Sequence, residues 1–125
     1  MACTCAPIYE NVEQSMKLSQ EVFLGIPIAR KDFPGGPSEK QKLGGDRIFT
    51  FQVIAQFKGK KKKEIRIDSS KFGMCGADFR ENSGLFLLFA TKRNGALSTT
   101  ICSSALVGND PKITTLIRDL AAKTS

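Results

Sequence analysis

The longest unbroken apolar run in this chain is Leu85 to Ala90 (LFLLFA). A run of that length suits a strand buried on both faces and is far too short to cross a bilayer. The other apolar residues come in short alternating pieces, so the core has to be assembled largely from short strands. Glu21 to Lys31 (EVFLGIPIARK) alternates through Val22, Leu24, Ile26 and Ile28, with Pro27 marking an edge or a bulge. Arg47 to Lys58 (RIFTFQVIAQFK) is rich in β-branched and aromatic residues and runs into a tight turn at Gly59-Lys60. Glu64 to Asp68 (EIRID) alternates strictly. Leu85 to Thr91 and Ala96 to Cys102 flank Asn94-Gly95, a hairpin signature.

Between these strands lie polar, Gly/Pro-containing stretches at 32–46 and 69–84, read as loops. The ends read as helices. Tyr9, Val12 and Met16 recur at helical spacing over residues 8–18. Near the C-terminus, Asp110 is a cap, Pro111 a first helical residue, and Ile113, Leu116, Ile117 and Leu120 one apolar stripe. At 125 residues the chain has material for one modest core, and residues 1–125 are read as a single domain without repeats. Five short strands with a helix at each end predict a mainly β fold, a small OB-fold-like five-stranded β-barrel with flanking N- and C-terminal helices.

Histidine is absent, which removes the usual general base and the commonest zinc ligand. No Gly-rich phosphate loop, serine nucleophile elbow or paired-carboxylate motif stands out, and Glu64 and Asp68 are expected to be solvated. The chain is therefore expected to bind or inhibit rather than catalyse, with no cofactor and no metal of its own. The cysteines, Cys3, Cys5, Cys75 and Cys102, lack the spacing of a zinc site and are expected to form disulfides. That implies an oxidising compartment and a secreted protein, although Met1-Ala2 carries no signal sequence. Three pairings are open, of which Cys3–Cys5 is disfavoured by ring strain.

Taken together, several pieces resemble the tissue inhibitors of metalloproteinases. Cys3-Thr4-Cys5-Ala6-Pro7 is similar to the Cys-x-Cys-x-Pro opening of that family. Phe57-Lys58-Gly59 resembles its Phe-Lys-Gly, Cys75-Gly76 its Cys-Gly, and Cys102 its next half-cystine, all in order. The resemblance runs from residue 3 to about residue 120 and implies the netrin-like module of the family's N-terminal domain. It implies bonds Cys3–Cys75 and Cys5–Cys102. It also implies that Cys3 chelates the catalytic zinc of a partner protease through its α-amino nitrogen and carbonyl oxygen, with Thr4 in the specificity pocket. Ala6, Pro7, Gly73, Met74 and Cys75 would complete the inhibitory ridge.

The chain also departs from the pattern. Met1-Ala2 precede Cys3, so its nitrogen is an amide here and has no lone pair to give zinc. Ala2 fits the small residue before a signal cut. Ser15 stands where the family has a third-bond cysteine, tryptophan is absent, and Pro7 is followed by Ile8-Tyr9-Glu10 rather than the family's x-His-Pro. The family's cysteine-rich second domain has no counterpart. The alternative is a non-inhibitory secreted module that binds extracellular proteins.

A net charge of +7 adds a further partner. Lys60, Lys61, Lys62 and Lys63 crowd one turn, read either as solvated or as a polyanion site. Because most phenylalanines alternate into strand interiors, a sulfated glycosaminoglycan such as heparan sulfate is expected rather than nucleic acid. A monomer is expected, without a membrane span. Non-reducing peptide mapping of protein from an oxidising source should yield Cys3–Cys75 and Cys5–Cys102. Four free thiols would contradict the secreted assignment.

Overall fold

Strand β4 (Phe86–Arg93) carries most of the long apolar run, and the fold is organised around it. The computed structural model describes residues 10, 12–32, 46–70, 79–93, 96–99, 102–108 and 110–124. Helix α1 (Val12–Leu18) leads into β1 (Glu21–Asp32), β2 (Asp46–Lys58) and β3 (Glu64–Ser70). After β4 come β5 (Ala96–Ser98), β6 (Ser104–Leu106) and helix α2 (Pro111–Thr124).

β1 pairs antiparallel with β2, and β2 with β3. β5 pairs antiparallel with β4 and touches β3 in parallel at Asp68–Ser98. β1 returns to β4 along Glu21–Gly25, which closes the ring β1-β2-β3-β5-β4. The result is the OB-fold-like five-stranded barrel that the strand count predicts, with a helix at each end of the described chain.

Alternate residues of β4 serve two cores. Leu88 and Ala90 face the barrel interior with Phe23, Phe49, Phe51, Ile65, Ile67 and Phe79. Leu87 and Phe89 face outward, where Val22, Leu24 and Phe57 meet Leu116 and Leu120 of α2. Val12 and Met16 of α1 pack on the same cluster. Both faces are buried, so the sequence runs apolar without alternation.

Closure of so small a barrel needs bent strands, and β1–β2 is bulged three times. Its register skips Ile54 and Phe57 on β2 and Ile28 on β1. Pro27 sits beside the third bulge and beyond the stretch paired with β4, so both readings of that proline hold. Its carbonyl accepts the N–H of Asn82 at 2.6 Å.

Three expectations need correction. The fifth strand does not run from Ala96 to Cys102. It stops at Ser98, and a sixth strand, which has no alternation to announce it, follows at Ser104–Leu106. The cause is a local clasp. Thr99 Oγ1 lies 2.9 Å from Ser103 Oγ, and the N–H of Phe89 reaches past to Ser103 O at 2.8 Å, which breaks the ladder. β3 runs on to Ser70, two residues beyond the EIRID alternation. Asp68 is half-buried and partnered, not freely solvated, while Glu64 is exposed. Asp110 caps α2 as expected, its Oδ1 accepting Lys112 N–H at 2.9 Å. The stretch 33–45, Tyr9 and the Asn94-Gly95 turn lie outside the described residues.

Phe79 closes the inner core. Its ring meets Phe49, Phe51 and Phe86 edge-to-face, with centroids 5.1, 5.0 and 5.0 Å away. Phe79→Ala should cost about 3–5 kcal/mol of stability in urea denaturation, while Ile54→Ala, on the exposed bulge, should stay within ~0.5 kcal/mol.

Candidate functional site

The site splits into a part that is described and a part that is not. Cys3, Thr4, Cys5, Ala6, Pro7, Gly73, Met74 and Cys75 all lie outside the described residues. Cys102 is described. It is half-buried, lies within the loop closed by the Thr99–Ser103 clasp, and is disulfide-bonded.

The lysine turn is described throughout. Gly59 opens it with φ of 94°, a left-handed conformation that glycine takes without steric cost. A side chain there would also collide with Glu21, since an added Cβ would lie 2.9 Å from Glu21 Cγ. Lys60, Lys61, Lys62 and Lys63 follow, all exposed.

They are not equivalent. Lys62 Nζ turns back to Glu21 Oε1 at 2.7 Å, and Glu21 is buried at the start of β1. Gln56 Nε2 donates to the same oxygen at 3.3 Å and to the Lys58 carbonyl at 2.6 Å. Lys58 Nζ in turn caps the Met16 carbonyl in the last turn of α1. One buried acid thus ties the turn to the barrel and sits beside the helix end. Lys62 pairs with Glu21, while Lys60, Lys61 and Lys63 stand exposed beside it. Glu21 was not singled out from the sequence. Its only signal was an acid at the first position of an apolar strand, where burial demands a partner.

The turn presents positive charge at the described surface. Among the described residues, no three acidic or sulfur side chains converge as a metal site. Phe23, Phe49, Phe51, Phe57, Phe79 and Phe89 are buried and Phe86 is half-buried, so the described surface offers no phenylalanine platform for bases. A groove of about 400 Å³ runs between α1 and α2 over Leu116 and Leu120, edged by Glu13, Lys112, Asp119 and Lys123. Its lining carries both signs of charge and the Thr115 hydroxyl. No helix among the described residues is long and apolar enough to span a membrane.

No family model matches the chain, and no curated protein matches it.

The anchoring role of Lys62 is measurable. Lys62→Ala strips a buried carboxylate of its ion pair and should cost about 1–3 kcal/mol in chemical denaturation. Lys61→Ala should stay within about 0.5 kcal/mol. Gly59→Ala should cost about 1–2 kcal/mol, from the left-handed backbone and the approach to Glu21.

Proposed function

We propose that this chain is a secreted, non-enzymatic inhibitor of a zinc metalloproteinase that works through its Cys3-Thr4-Cys5 segment. The observation that supports this reading is the joint presence of the Cys-x-Cys-x-Pro opening and a closed OB-like barrel. The disulfide at Cys102 adds to it, because Cys5–Cys102 is one of the bonds the resemblance implies.

The chemistry follows from the atoms. An α-amino nitrogen and the carbonyl oxygen of the same residue close a five-membered chelate on zinc. Bound to a protease zinc, they occupy the position of the water that the enzyme must activate. Disulfides Cys3–Cys75 and Cys5–Cys102 would hold the chelating residue on the barrel, so little ordering cost remains on binding. Thr4 would enter the specificity pocket. Ala6 and Pro7 would extend the contact, with Gly73, Met74 and Cys75 alongside. The metal belongs to the partner, which fits a chain without histidine.

A second reading rests on the turn. Lys60, Lys61 and Lys63 are exposed on a chain of net charge +7 and suit a sulfated glycosaminoglycan. A module that kept this surface without inhibition would bind extracellular matrix instead.

Inhibition assays against a matrix metalloproteinase separate the two. Protein trimmed to begin at Cys3 should inhibit at least about tenfold more tightly, ~1.4 kcal/mol, than the chain with Met1-Ala2, whose Cys3 nitrogen is an amide. Thr4→Gly in the trimmed protein should weaken inhibition. Equal potency of the trimmed and extended forms would overturn chelation, and no inhibition by either would leave the matrix-binding reading.

A further inference from the structure

We infer that the anion-binding surface is a platform built from three elements at one end of the barrel, in which Lys17 and Lys92 belong and Lys62 does not. This rests on the glycosaminoglycan reading above and specifies its site. Antiparallel pairing brings the start of β1, the β2–β3 turn and the end of β4 to the same end of the barrel. Glu21 lies opposite Ala90 in the ladder, and Lys92 follows two residues later, ~7 Å along the strand. The backbone N–H of Lys92 donates to Gln20 Oε1 at 2.6 Å, which holds it against the α1–β1 junction. Lys17 lies in the last turn of α1, at the same junction, beside the Met16 carbonyl that Lys58 caps. The Lys62–Glu21 pair fastens the turn to this junction from the other side. Segment 16–21 therefore gathers cations that lie far apart in the sequence.

Lys17, Lys60, Lys61, Lys63 and Lys92 are all exposed there. They share one end of the barrel, so an anion spanning them meets their summed field. The acids nearby are few. Glu21 is engaged by Lys62, Glu64 is exposed at the start of β3, and Glu13 lies one turn before Lys17. The lysines are spread over an open surface on flexible stems, which suits an extended, multiply charged chain better than a single phosphate. Leu18 is exposed beside Lys17, but a lone leucine is little apolar surface with which to seat a membrane.

The full chain is run on a heparin column, with size-defined heparin titrated by calorimetry and Tm checked for every variant. The parent is expected to be retained. Lys17→Ala/Lys92→Ala should elute at lower salt and lose about two- to fivefold in affinity per lysine, as Lys60→Ala/Lys61→Ala/Lys63→Ala should. Lys62→Ala should shift elution less than Lys61→Ala, because its charge is already engaged. If the parent is not retained, the glycosaminoglycan reading itself fails. If the parent is retained but Lys17→Ala/Lys92→Ala elutes with it, that reading stands and the three-element platform is overturned. A Lys62→Ala shift as large as that of Lys61→Ala, with Tm unchanged, would overturn the exclusion of Lys62. Binding to phosphatidylserine vesicles without binding to heparin would overturn the choice of partner.

Discussion

The structure depends on burial of both faces of β4. One strand supplies Leu88 and Ala90 to the barrel interior and Leu87 and Phe89 to the layer beneath the helices. It also pairs with β1, β5 and β6. Removal of its apolar surface from water therefore stabilises the barrel and docks α2 at the same time. A change in β4 is felt in both cores, whereas a change in Phe79 acts on the inner one. The bulges on β1 and β2 follow from the same requirement. The sheet has to bend far enough for β1 to reach β4, and each bulge inserts a residue where the bend is made.

The start of β1 shows how a buried charge shapes a surface. Glu21 sits where the strand enters the core, and an ionised carboxylate there is costly unless it is paired. Lys62 pairs with it, Gln56 adds a hydrogen bond, and Gly59 leaves room for the acid beside the turn. The consequence reaches beyond stability. A turn of lysines on a free hairpin would be loosely placed, whereas this one is tied down beside α1 and the end of β4. The charge that anchors it is withdrawn from the surface that the remaining lysines present.

The proposed inhibition places its demands on rigidity rather than on reactive groups. A chelating terminus needs one nitrogen, one oxygen and a scaffold that holds them still. The barrel is a suitable scaffold because its strands are cross-paired around a closed ring, which leaves little freedom to lose on binding. The half-cystine at Cys102 lies within the clasp that separates β5 from β6, where the ladder is interrupted.

Local pattern was enough to set the strand content, the C-terminal cap and the barrel class. Alternation, β-branching and turn residues act over a few positions, and Asp110-Pro111 carries its own capping chemistry. The same local rules failed at Ala96–Cys102, where the Thr99–Ser103 clasp divides the strand and β6 follows without alternation. They also failed at Lys62, which looked like its neighbours. Its partner Glu21 is 41 residues away in sequence, and the pairing of β1 with β2, which sets Val22 opposite Lys58, brings the two within 2.7 Å. Residue type and spacing were sufficient to mark Cys3, Thr4 and the lysine turn as candidates. Which lysines stand together depended on strand register, because charges interact through space and the register decides which segments share an end of the barrel.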